Sequence, residues 1–91
     1  MKKLAEGLLL RWNSKLTEPI DLSEESILLG KNELDETYID ANDLDQMPEL
    51  ILVHSFGIDN ETIVCIVTDE LQEIIYWQGI ILRGELVWSG L

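Results

Sequence analysis

Apolar and polar positions divide the 91-residue chain into a helical beginning and a β-rich second half. At about 100° per residue, Leu4, Ala5, Leu8, Leu9, Trp12 and Leu16 fall within an arc of about 140°. Lys2, Lys3, Glu6 and Arg11 lie outside that arc, so the first block predicts an amphipathic helix. Gly7 inside it costs roughly 0.5–1 kcal/mol, and Leu8–Trp12 alternatively suits a strand. A short second helix is predicted over 24–29, with Ser23 as N-cap, Glu24 and Glu25 at its positive end, Leu22 and Ile27 as a hydrophobic staple, and Gly30 closing it. Between Glu33 and Gln46, Leu34, Tyr38, Ala41 and Leu44 recur at helical spacing. That stretch reads either as one more helix, ended by Pro48, or as an irregular acidic loop.

The second half alternates short β-branched runs with turn residues. Leu50–His54 and Thr62–Thr68 predict two strands joined by the turn-rich Phe56-Gly57-Ile58-Asp59-Asn60. Three further runs follow, Glu73–Trp77, Ile80–Leu82 and Glu85–Trp88, punctuated by Gln78-Gly79 and Arg83-Gly84. One of those glycine sites serves as the hairpin turn and the other as a bulge. Val64–Val67 is apolar at every position, which predicts a central strand covered on both faces. The expected fold is a single α+β domain spanning residues 1–91. In it an N-terminal amphipathic helix and one or two short helices pack on a C-terminal antiparallel β-meander of about four strands.

A hydrophobic content of 46% excludes a disordered chain. The longest apolar run is Ile63–Val67, against the roughly 20 residues a membrane-spanning helix needs. Lys2 and Lys3 before Leu4 resemble the start of a signal peptide. Glu6 and Arg11 interrupt it and no small-residue cleavage site follows, so a cytoplasmic location is expected. One Cys excludes an internal disulfide and, with a single His, any Cys/His zinc site.

Little catalytic equipment is visible. His54 and Ser55 are neighbours on a strand, where adjacent side chains point to opposite faces. No Gly-x-Ser-x-Gly elbow and no glycine-rich phosphate loop occurs. Cys65 sits in the most apolar strand, which predicts a buried thiol of raised pKa. Asp35, Glu36, Asp40, Asp43 and Asp45 are hard ligands suited to Ca²⁺ or Mg²⁺, but no window carries the EF-hand glycine and glutamate together. Neither catalytic residues nor a metal or cofactor is expected.

Charge changes the picture most. Eighteen acidic and six basic residues give a net charge of −12, beyond the magnitude of about 2–8 usual for a small soluble domain. Four of the basic residues lie in 1–15, while 16–49 holds eleven acids and one Lys. Direct binding to nucleic acid or to an anionic membrane is disfavoured. A compact chain of this length is about 30 Å across, and that length of duplex DNA carries about 18 phosphates. The 18 carboxylates thus suit a surface that occupies the cationic site of a basic partner, a nucleic-acid-binding enzyme above all. The residues expected to bind are Glu33, Asp35, Glu36, Asp40, Asp43, Asp45 and Glu49, with Asp59 and Glu61 as a second patch. Tyr76, Trp77 and Trp88 are candidate aromatic anchors. Phage-encoded inhibitors of restriction or CRISPR nucleases, toxin-immunity proteins and acidic secretion chaperones share this general character, and no motif here belongs to one of them. The other expectation is a homodimer or assembly subunit joined through an apolar sheet edge near Ile80–Trp88.

Overall fold

The structure, a computed structural model, describes the chain except for residues 14, 17–20, 35, 60 and 91. It is an α+β fold built on one five-stranded antiparallel sheet whose spatial order follows the chain order. The elements are α1 (Lys2–Trp12), β1 (Ser23–Gly30), α2 (Ala41–Asp45), β2 (Leu50–Gly57), β3 (Thr62–Thr68), β4 (Ile75–Leu82) and β5 (Glu85–Gly90). A 3₁₀ turn over Lys31–Glu33 follows β1.

The amphipathic reading of α1 holds as far as Trp12; Asn13 is extended, so Leu16 reaches the core from outside the helix. Ala5, Leu8 and Leu9 are buried against Phe56, Val64, Ile66 and Ile80 on one sheet face, with Leu4, Trp12 and Leu16 partly buried around them. Each buried leucine stabilises the fold by about 1.5–3 kcal/mol. β3 is the central strand, and residues of Val64–Val67 contribute to clusters on both faces.

Residues 23–30 overturn one expectation: they form a strand where the capping signals predict a helix. A six-residue helix closes too few hydrogen bonds to offset its nucleation cost. The open edge of β2 offers instead an eight-residue ladder, from Ser23 opposite Gly57 to Gly30 opposite Leu50. Gly30 stays extended at φ −74° and does not close a helix. The meander therefore has five strands, not four.

The connection from β1 to β2 is the unusual one. Antiparallel neighbours usually join by a tight turn, whereas residues 31–49 run across the second sheet face and back. There Ile39 and Met47 bury with Ile51, Val53, Val67 and Trp77, and Leu34, Tyr38 and Leu44 pack around them. The helical spacing predicted over 33–46 is realised only as α2. Asp40 explains why: its backbone is extended and its carboxylate accepts from the Asn42 amide at 3.0 Å, so the helix starts at Ala41. Tyr38 fastens the far end of the crossing by donating its hydroxyl to the Gly84 carbonyl at 2.6 Å.

Of the two glycine sites, Arg83-Gly84 is the hairpin turn, with φ of 52° and 81° at its central residues. Gln78-Gly79 lies inside a continuous β4, and the register shifts fall elsewhere, between Val67 and Thr68 and between Ile80 and Ile81. Gly79 has a packing role. A Cβ there would meet Trp77 Cη2 head-on, because the indole of Trp77 lies forward along its own strand, over residue 79. Trp88 is arranged similarly over Gly90, with 3.3 Å to its Cζ2.

Candidate protein-binding surface

Sequence and topology together sort the charges by sheet face. The segment 31–49 turns Leu34, Ile39, Leu44 and Met47 inward, which leaves Glu33, Glu36, Asp40, Asp45 and Glu49 exposed on its outer surface. Asp43 is half-buried and shares a recess of about 180 Å³ with Tyr76, Trp77, Ser89 and Gly90. Lys2, Lys3 and Arg11 are carried by α1 on the opposite face. Among the described residues there is one salt bridge, Arg83 Nε to Glu61 Oε2 at 3.2 Å, between well-exposed side chains and so of little energetic weight. The described acids of the crossing segment take part in no ion pair among the described residues.

The expected binding residues thus divide. Glu36, Asp40, Asp43, Asp45 and Glu49 belong to one continuous segment lying on one face. Asp35 lies outside the described residues. Glu33 is partly engaged, its Oε2 accepting from the Gly30 amide at 2.9 Å. Asp59 and Glu61 occupy the β2–β3 loop and serve local structure. Asp59 Oδ1 accepts from the Glu61 and Thr62 amides at 2.7 and 2.8 Å, bonds that hold its carboxyl below the ordinary carboxylate value. Glu61 is committed to Arg83 by side chain and backbone, its carbonyl accepting the Arg83 amide at 2.8 Å.

The three aromatic residues also separate. Trp77 is a core residue at 4% exposure. Tyr76 is half-buried at the rim of the recess that holds Asp43. Trp88 lies on the other face, beside α1, and is 36% exposed.

His54 is buried and pinned between strands. Thr68 Oγ1 donates to the Asp69 carbonyl at 2.9 Å, so toward His54 Nε2, 3.1 Å away, it acts as acceptor. That leaves Nδ1 to accept from the Ser26 hydroxyl at 3.0 Å, which fixes the neutral Nε2–H tautomer. Burial, aided by the positive amino terminus, lowers its pKa below 6.5, with Glu24 opposing. Reading the sequence pairs His54 only with Ser55 and misses Ser26, a partner that the misassigned edge strand supplies. Burial likewise pushes the Cys65 thiol up to about 11. Among the described residues, no three His, Cys, Asp or Glu side chains converge as a metal-binding group. No described helix is long and apolar enough to cross a membrane.

Fold and surface define the class: a small acidic α+β domain whose antiparallel sheet carries a basic helix on one face and an acidic crossing segment on the other. No protein family, curated protein or solved structure matches the chain, so the surface itself is the basis for a functional reading.

Proposed function

We propose that this protein is a non-enzymatic binding protein that places the acidic face of residues 33–49 in the cationic site of a nuclease or other nucleic-acid-processing protein, inhibiting it by charge mimicry. The observation that carries this reading is the division of labour within the crossing segment. Its apolar side chains satisfy the core, and its carboxylates stand outside without salt-bridge partners among the described residues. Such a surface gains from electrostatic steering and counterion release in the way a nucleic acid does. The recess of Asp43 with Tyr76 adds an aromatic contact that charge alone lacks.

The test compares two immobilised proteins in lysate of the source cell. One is the native chain. The other carries Glu36→Gln, Asp40→Asn, Asp43→Asn, Asp45→Asn and Glu49→Gln, with asparagine at position 40 preserving the α2 cap. Nucleic-acid-binding proteins held by the native chain, released by moderate salt or added duplex DNA and missing from the variant column are the expected result. Equal retention of the same proteins by a folded variant refutes the acidic face as the binding surface.

A second reading, self-association through a sheet edge, draws on different residues. Ile80 is fully buried, but Val87 and Trp88 on β5 and, more so, Ile27 and Leu28 on β1 are exposed at the two open edges. A dimer mass that persists in high salt and is lost on Ile27→Lys supports pairing through β1; a monomer at micromolar concentration refutes it.

A further inference from the structure

β1 is an open edge of the sheet that lacks the usual guards against pairing. Edge strands are normally blunted by proline, lysine, a bulge or shortness. Ser23–Gly30 holds neither proline nor lysine, runs eight residues and pairs with β2 without a register shift. The other edge, β5, is six residues long, and its ladder with β4 shifts between Ile80 and Ile81. Every residue from Ser23 to Leu28 is exposed, so neither α1 nor the crossing segment covers the β1 edge. Ile27 is 53% and Leu28 50% exposed. As strand neighbours they present one apolar side chain on each sheet face. Ile27 stands opposite Val53, on the face of residues 31–49, and Leu28 opposite Leu52, on the face of α1.

The backbone shows which groups of this edge are free. The Lys31 amide donates to the Glu49 carbonyl at 2.9 Å, one step beyond the Gly30–Leu50 pair. Backbone groups alternate in direction along a strand, so Glu25, Ile27 and Leu29 also turn theirs toward β2, while Glu24, Ser26, Leu28 and Gly30 turn theirs outward. The Gly30 amide accordingly donates to the Glu33 carboxylate at 2.9 Å. The edge is also polar in charge, with Glu24 and Glu25 near one end and Lys31 just beyond the other.

We propose that a second copy of this chain covers the edge with its own β1, a pairing that rests on the self-association reading above and gives it one geometry. The strands run antiparallel about a two-fold axis at Ile27, joining two five-stranded sheets into one of ten strands. In that register Ser26 and Leu28 exchange backbone hydrogen bonds across the axis, and the Glu24 amide reaches the Gly30 carbonyl of the other copy. The shared ladder ends there, because Glu33 already holds the Gly30 amide. Glu24 stands opposite Gly30 and Glu25 opposite Leu29, so neither glutamate faces another across the ladder. Glu25 lies diagonal to Lys31 of the other copy, within reach of that long side chain. A parallel pairing would instead set each glutamate beside its own counterpart. The contact is isologous and closed, using the same residues on both sides and leaving no free β1 edge. Its axis is perpendicular to the sheet, so both acidic segments come to lie on the same side and the charged surface doubles.

The test uses the full chain carrying Cys65→Ala, so that an introduced thiol has no competitor. Non-hydrogen-bonded antiparallel pairs hold their Cα atoms about 4.5 Å apart, within disulfide range, so mild oxidation should convert most of an Ile27→Cys variant to a covalent dimer. A Glu24→Cys variant should stay uncoupled, because its two copies stand six residues, roughly 20 Å, apart along the ladder. Without oxidation, sedimentation should give a dimer at micromolar concentration that Lys31→Glu weakens about fivefold and added Glu25→Lys restores. A monomer overturns this pairing and the self-association reading together. A dimer that cross-links through Glu24→Cys as readily as through Ile27→Cys, or is indifferent to Lys31→Glu, keeps that reading and overturns the two-fold at Ile27. A monomer whose Ile27→Cys variant couples only to a foreign protein in cell lysate assigns the edge to another chain's strand and overturns the proposal likewise.

Discussion

Replacing Gly79 with alanine is the sharpest test of how this sheet is packed. An added methyl would lie 2.3 Å from Trp77 Cη2, 2.8 Å from Cζ2 and 3.0 Å from Leu86 Cδ1. The backbone at 79 is not left-handed, so in open space alanine would gain about 0.5–1 kcal/mol over glycine. Here the contacts are with a rigid ring that is 4% exposed and roofed by the crossing segment. Overpacking costs about 1–3 kcal/mol, and complete loss of a buried tryptophan's packing costs about 3–5 kcal/mol. The ring must move between those limits, giving a net destabilisation of about 2–4 kcal/mol. At roughly 4–8 °C per kcal/mol for a domain of this size, the melting temperature falls by at least about 8 °C. Urea unfolding measures the loss, and near-ultraviolet circular dichroism reports the displaced indole. In a Trp77→Leu background the same substitution should cost much less, since the clashing ring is gone and only the contact with Leu86 Cδ1 remains. Unchanged stability and an unchanged aromatic spectrum for Gly79→Ala would refute this account of β4.

Other expectations follow from single residues. Gly7 lies within α1, and a methyl added there would meet no atom within 4 Å, so Gly7→Ala should raise stability by about 0.5–1 kcal/mol in the same urea assay. The His54 pKa is depressed in the folded state, so the unfolded chain binds the proton more readily. Stability is therefore full above pH 6.5 and declines as pH falls from 6.5 toward the lower folded value, and His54→Gln should remove that part of the pH dependence. An NMR titration of His54 that gave 6.5 or higher would contradict the burial argument. With its thiol at about 11, native Cys65 should react with a disulfide reagent at pH 8 far more slowly than the urea-unfolded chain does.

The parts of the fold legible in the sequence were those where local pattern and tertiary demand agree. The apolar arc of α1 and the run Thr62–Thr68 are both found where periodicity places them. Residues 23–30 were illegible because Ser23, Gly30 and the intervening glutamates supply good capping chemistry for a helix that the free edge of β2 outcompetes. Glu33–Gln46 carried the right inward residues and the wrong backbone, since Asp40 acts as a cap in the middle of the apparent repeat. The candidate site is legible in the sequence only at the level of a segment. Which acids are free of structural work depends on contacts such as Asp59 with two amides and Glu61 with Arg83, and no spacing rule encodes those. Gln78 looked like a turn residue beside Gly79, and only the continuous strand reveals it as a buried amide whose carbonyl lacks a donor among the described residues.

The placement of basic α1 on one sheet face and acidic 33–49 on the other also makes the molecule an electric dipole superimposed on its net charge. In the field of a cationic surface the net charge pulls the protein inward while the dipole exerts a torque, turning residues 33–49 forward and α1 away. The body is 37 Å in its longest dimension, several times a screening length of about 8 Å, so the torque biases the approach toward one orientation within the last nanometre. In that orientation the face bearing Arg11 and Trp12 remains open to solvent after docking.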